Sequence, residues 1–201
     1  MSRLRCAIVL VLALATACGG QPKLARLAPD AVVLAFGDSL TFGTGADPQE
    51  SYPARLEALI GRKVVASGVP GESSAEGLAR LPSELEEAKP QLVILCHGGN
   101  DLLRKLDDAQ AANNVRAMVR LAKAQGAQVV LIGVPRPGLF PSAAEFYEDI
   151  AKEFRLPYEG TALRKILTDN ALKSDLAHPN AAGYTRLAEA VAALLKKAGA
   201  V

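Results

Sequence analysis

Three short polar clusters carry side chains able to activate a hydroxyl as a nucleophile. Gly37-Asp38-Ser39-Leu40 offers a hydroxyl, Gly98-Gly99-Asn100-Asp101 a neutral amide donor, and Asp175-Leu176-Ala177-His178 an imidazole three residues from a carboxylate. A bend across that last spacing brings the Asp175 carboxylate against one ring nitrogen. The other nitrogen then faces outward with the tautomer and basicity needed to take a proton from the Ser39 hydroxyl. Each cluster also has a structural reading of its own. Asp38 and Ser39 suit a turn with a helix cap, Asn100 suits an Asx turn, and Asp175 with His178 suits a charge pair at a helix start.

The elements around the clusters decide which reading has force. Residues 31–36, 63–66, 91–96 and 127–134 are short runs rich in Val, Ile and Leu, the composition of strands buried on both faces of a parallel sheet, and a fifth short strand fits 156–159. Between them lie helical stretches at 52–60, ending at Gly61, and at 108–125, ending at Gly126. A helical pattern at 74–89 is expected to be split by Pro82. Further helices are expected at 142–154 and 179–197, the last with Pro179 at its first position. This alternation predicts an α/β fold: a three-layer α/β/α sandwich with a central five-stranded parallel sheet, flavodoxin-like in kind, with right-handed crossovers. Ligands of such sheets bind at the carboxyl ends of the strands. The first two clusters follow the first and third strands, so they lie at that edge. His178 precedes Pro179, which keeps it in a loop and out of the helix.

Other chemistries fit less well. The loop 41–45 lacks the Lys of a P-loop, and no Ser lies in a G-x-S-x-G elbow. Cys96 and His97 are strand neighbours and point to opposite faces, so they read as a packed thiol and a strand-end imidazole. Three Cys and two His leave little for a zinc cage. Arg104 and Arg136 read either as partners of a substrate phosphate or carboxylate or as solvated side chains.

The amino end reads differently from the rest. Arg3 and Arg5 precede an uncharged apolar run from Cys6 to Ala17 that is too short to span a bilayer and ends in Ala15-Thr16-Ala17, the small-x-small pattern of a signal peptide at 1–17. Cys18-Gly19-Gly20 follows, and the segment resembles a bacterial lipobox, so Cys18 is expected to start the exported chain, either as a plain secreted, periplasmic protein or as a lipoprotein anchored to the membrane through lipid on Cys18. Residues 18–30 read as a tether, and 31–201 as one domain. Without residues 1–17 the 23 basic residues fall to 21, against 21 acidic ones, which removes any net attraction to nucleic acid or anionic membrane.

Taken together, Gly37 to Leu40, Gly71, Gly98 to Asp101 and Asp175 to His178 resemble, in order, the blocks of the SGNH or GDSL hydrolases. The resemblance covers about residues 31–197. The stretch Ser67-Gly68-Val69-Pro70-Gly71-Glu72-Ser73-Ser74 with Gly77 to Pro82 is similar to the branch of periplasmic thioesterases, lysophospholipases and arylesterases. The resemblance implies a serine esterase with Ser39 as nucleophile, His178 as general base and then acid, and Asp175 as its orienting partner. It also implies an oxyanion hole from the backbone N–H groups of Ser39 and Gly71 and the Asn100 side chain. Asp38 and Asp101 are expected to brace their own loops. Leu102, Leu103, Leu139 and Phe140 are expected either to line an acyl groove or to be core residues at loop bases. The expected enzyme is a monomer without metal or organic cofactor, acting on a small acyl ester or lipid. Two rivals stand beside it: an O-acyltransferase using the same triad, and a flavodoxin-like module binding a nucleotide or flavin at loop 41–45.

Overall fold

The computed structural model describes residues 22–138 and 142–201, so Cys18, Leu139 and Phe140 lie outside the described residues. Five strands form one parallel sheet: β1 (Val32–Gly37), β2 (Lys63–Gly68), β3 (Leu92–Cys96), β4 (Gln128–Ile132) and β5 (Tyr158–Glu159), in the order β2-β1-β3-β4-β5. β1 and β3 are buried along almost their whole length, as central strands covered on both faces must be. β2 departs from the expected full burial because it is an edge strand, exposed at Lys63 and Ala66.

The helices are α1 (Ser39–Phe42), α2 (Tyr52–Ile60), α3 (Ser74–Ala88), α4 (Gly99–Leu103), α5 (Asp108–Ala124), α6 (Glu145–Phe154), α7 (Ala162–Thr168) and α8 (Ala181–Ala198). α2 and α7 pack on α8, and α3 and α6 on α5, giving the two outer layers of an α/β/α sandwich. The strand order changes direction between β1 and β3. Crossovers leave those two neighbours in opposite senses, which opens a crevice at their carboxyl ends. Both strands deliver a polar cluster there.

Several boundaries differ from the sequence expectation, each for a physical reason. α3 runs unbroken through Pro82. Ser73 closes a capping box with Glu76 at its start, and burial of Leu81 and Leu85, at about 1.5–3 kcal/mol each, outweighs the roughly 3 kcal/mol that an interior Pro costs. The last helix starts at Ala181, because Asn180 supplies a side-chain acceptor for the Gly183 N–H while Pro179 is held in an antiparallel bridge to Lys173. The helix expected from 142 starts at Glu145, since Ala143 pairs with Pro135 beyond the end of β4. From Lys23 onward the expected tether is docked. Leu24 and Leu27 donate to Ala198 and Ala200 carbonyls at 2.9 Å each, and Ala25 and Ala28 donate to the side chains of Gln128 and Gln91.

Candidate active site

At the end of β1 the chain turns sharply, and Asp38 caps α1 by accepting the Leu40 N–H at 3.1 Å. Burial pushes the Asp38 carboxyl up, an effect that nearby His97 and the Leu40 N–H oppose in part. Ser39 holds the first position of α1, where a backbone N–H has no partner within its own helix. Tyrosines brace the loop that follows: Tyr52 meets Thr41 through their hydroxyls at 3.4 Å, and Tyr184 donates to the Thr44 carbonyl at 2.8 Å. The N–H groups of Gly43 and Thr44 both turn inward to the Ser39 carbonyl, so this loop does not present the open N–H cradle a phosphate needs.

The Asp175–His178 cluster sits in a closed loop between α7 and α8. Ser174 donates to the His178 carbonyl at 2.9 Å and Asn180 to the Leu172 carbonyl at 3.0 Å, pinching the loop at its base. Inside it, Asp175 Oδ1 accepts the N–H groups of Ala177 and His178 at 2.7 and 2.9 Å, while Oδ2 lies 2.8 Å from His178 Nδ1. Slight burial raises the Asp175 carboxyl, but the bonds from His178 and Ala177 outweigh it and hold the group below the usual carboxylate range. A carboxylate can only accept, so Nδ1 carries the ring proton and Nε2 is left with a free lone pair. That nitrogen lies 3.0 Å from Ser39 Oγ. Ser39, His178 and Asp175 are therefore brought together in hydrogen-bonding sequence.

The other two positions named from the sequence flank Ser39. Val69-Pro70-Gly71-Glu72 forms a turn in which the Glu72 N–H meets the Val69 carbonyl. Pro70 and Gly71, with φ +80° at Gly71, match the residue choice of a type II turn. Among the described residues no acceptor takes up the Gly71 N–H, and its carbonyl accepts Arg104 Nη2 at 2.7 Å. Asn100, in the first turn of α4, donates through Nδ2 to the Glu72 carbonyl at 3.0 Å and approaches Asp38 Oδ2 at 3.5 Å.

A cavity of about 290 Å³ opens over Ser39 and His178, lined in addition by Asn100, Leu103, Val134, Leu167, Lys173 and Leu176. Leu102 does not line it. Residues 99–103 are helical, not a loop, so consecutive side chains diverge by about 100°; Leu102 enters the core while Leu103 stays exposed beside the cavity. Arg136 to Gly138 also lie on the cavity wall. Leu176, 90% exposed, and Leu167 escaped the sequence reading. The position of Leu176 inside the D-x-x-H loop was the signal that could have found it.

Other expectations need correction. Asp101 braces a different element from its own loop: it accepts the Ser74 N–H and Oγ at 2.8 and 2.7 Å, and Asn114 donates to the same hydroxyl. It thereby ties α4 to the start of α3. Arg136 is paired with Asp108, and Arg104 is engaged at Gly71, so both guanidinium groups have partners within the chain. Cys96 is buried, and burial pushes its thiol up. His97 is fully buried and belongs to an ionic cluster that no sequence signal announced.

A serine, its base and an orienting carboxylate at the carboxyl edge of a doubly wound parallel sheet, outside any G-x-S-x-G elbow, define a class of serine hydrolases distinct from the α/β-hydrolases. Residues 35–186 match the GDSL-like Lipase/Acylhydrolase family. The chain is 32% identical over 195 residues to Esterase TesA of Pseudomonas aeruginosa, covering 91% of this chain and 96% of that protein. It is 30% identical over 163 residues to the thioesterase 1/protease 1/lysophospholipase L1 of Escherichia coli, with 77% and 78% covered. The crystal structure of TesA, 31% identical, superposes with a TM-score of 0.75 over 83% of this chain and 99% of that one. The chain belongs to the GDSL-like lipase/acylhydrolase family and is a serine esterase, a carboxylic ester hydrolase. A flavin- or nucleotide-binding module is set aside by this finding.

Proposed function

We propose that the protein hydrolyses small acyl esters, acyl thioesters or lysophospholipids through an acyl-Ser39 intermediate. His178 takes the Ser39 proton as the hydroxyl attacks the carbonyl carbon, then returns it to the leaving alcohol or thiol; the same ring later activates the water that releases the acid. Asp175 holds the ring in the reactive tautomer and offsets the imidazolium charge. The N–H groups of Ser39 and Gly71 and the Asn100 amide receive the developing oxyanion. The observation that carries this reading is the unbroken chain of contacts from Ser39 Oγ to His178 at 3.0 Å and on to Asp175 at 2.8 Å.

The size of the cavity favours short acyl groups, and Leu103 and Leu176 give them apolar contact. The names of the relatives, thioesterase and lysophospholipase among them, motivate the wider substrate panel. Among the described residues no helix is long and apolar enough to cross a membrane. The sequence of residues 1–18 supports export, with cleavage before Cys18 and lipid on that cysteine. The panel is chromogenic esters of increasing acyl length, acyl-CoA and a lysophospholipid, measured with the wild type and with Ser39→Ala. All activities vanish together in Ser39→Ala if one site performs them, and Ser39 is the residue labelled by a fluorophosphonate. Any activity kept by Ser39→Ala refutes its assignment to this site.

A further inference from the structure

Behind the site lies a buried ionic cluster that does not touch the cavity. Glu72, directly after Gly71, is 8% exposed; its carboxylate accepts two Arg80 N–H groups at 2.8 and 2.7 Å and lies 3.0 Å from His97 Nε2. The Arg80 guanidinium carbon lies over the Phe36 ring, 4.3 Å from its centroid, and the group also donates to the Gly37 carbonyl at 3.3 Å and to Ser67 Oγ. His97 accepts the Gly98 N–H through Nδ1 at 2.8 Å, which fixes its proton on Nε2, toward Glu72. The absence of a side chain at Gly77 of α3 leaves room for the ring, since a Cβ there would collide with it.

The cluster thus gathers the ends of β1, β2 and β3 and the turn before α3. Each of three of these segments leads to one oxyanion donor: Gly37 precedes Ser39 by two residues, Glu72 adjoins Gly71, and His97 precedes Asn100 by three. The Glu72 carbonyl is moreover the acceptor that orients the Asn100 amide. Stability alone is a weak reason for such a cluster. Desolvating charged groups costs several kcal/mol, and apolar residues of similar volume often serve a fold as well or better. A forked guanidinium that bonds to several strand ends at once does something apolar packing cannot, which is to fix their relative height and direction.

We infer that Glu72, clamped by Arg80 and His97, is the positioning group of the oxyanion site, setting the turn that carries Gly71 and the direction of the Asn100 amide so that both converge with the Ser39 N–H. The inference rests on the oxyanion roles proposed above. It is tested by kcat and KM for a short chromogenic ester, per site titrated to completion with a fluorophosphonate, together with urea unfolding. The variants are Asn100→Ala, Glu72→Gln, Arg80→Lys and the double variant Glu72→Gln/Asn100→Ala. Glu72→Gln lowers kcat about 10–100-fold, as small misplacements of catalytic donors do, with KM nearly unchanged. In the Asn100→Ala background the same change costs several-fold less than it does in the wild type, because one of the two donors it positions is already gone.

Arg80→Lys keeps the charge but loses the fork, and lowers kcat in the same manner; it carries the test should Glu72→Gln not fold. A loss of unfolding stability with kcat per titrated site unchanged in both variants overturns the inference and leaves the cluster as scaffold only. So does full additivity in the double variant. If Asn100→Ala itself keeps its kcat, the oxyanion reading fails first. If Asn100→Ala is impaired and neither Glu72→Gln nor Arg80→Lys is, the positioning inference fails alone.

Discussion

Replacing Asp175 by Asn is expected to harm turnover more than replacing it by Ala, the reverse of what size and polarity suggest. Oδ1 of Asp175 is held by two backbone N–H groups, from Ala177 and His178, and although it lies 3.0 Å from the ring Nδ1, the nearer ring contact is that of Oδ2 at 2.8 Å. An Asn side chain keeps the first pair of bonds through its carbonyl oxygen and so turns its NH₂ toward His178 Nδ1. That group can only donate, so the ring proton moves to Nε2, the nitrogen that must accept from Ser39. The wrong tautomer lowers kcat by about 10⁴-fold where the arrangement is otherwise intact. Ala imposes no tautomer. The Asp175 side chain is 56% exposed, so water replaces it beside Nδ1, and the loss is that of one charge-assisted hydrogen bond, about 1.5–3 kcal/mol, or roughly 10–150-fold. The assay is steady-state hydrolysis of a short chromogenic ester, with kcat taken per fluorophosphonate-titrated site. An Asn variant that outperforms the Ala variant, or stays within about tenfold of wild type, would show that residue 175 does not set the tautomer.

Acid stability gives a second check. Burial raises the Glu72 carboxyl, but hydrogen bonds from Arg80 and His97, with the Arg80 charge, outweigh it and bring it down from 4.5 to about 2. Its contribution is therefore fully present above pH 4.5 and is lost as the pH falls toward 2. Urea unfolding of Glu72→Gln should show a shallower decline than wild type over that window, and equal slopes would contradict the shift. Pro82→Ala restores an N–H to the middle of α3, and after allowance for the freer unfolded chain it should stabilise by about 1–2 kcal/mol. Thermal unfolding would register this as a Tm about 2–8 °C higher; a lower Tm would mean that packing of the proline ring outweighs the missing backbone bond. Leu176→Ala should leave stability unchanged, since its side chain is exposed, yet raise KM for longer acyl chains by about 5–30-fold on the loss of apolar contact. An equal effect on acetyl and longer esters would remove Leu176 from the acyl path.

What could be read from the sequence was what has a local signature. Val- and Leu-rich runs of five or six residues mark β1 and β3 because central strands need apolar residues on both faces, and the parallel order follows from the helices between them. Ser39, Asn100 and the Asp175–His178 pair were legible because each lies in a compact polar cluster after a strand or before a helix. Leu102 takes the core alternative of its two readings and Leu103 the groove; five residues are too few to display the helical period that separates them. Pro179 was misread because Asn180, the next residue, is the better cap. The Glu72–Arg80–His97 cluster had no signature at all. Its members come from three segments, and single charged residues in sequence cannot announce that they meet at the ends of the strands. The partners of Arg104 and Arg136 were hidden for the same reason.

The docking of residues 23–28 has a consequence for orientation. Gln91 and Gln128, which grip that segment, stand where β3 and β4 begin, whereas Ser39 and Asn100 stand where strands finish. A five-residue strand separates those two poles by roughly 17 Å. The strap formed by residues 23–28 therefore closes the end of the sheet opposite the catalytic mouth and leaves the approach to Ser39 free of it.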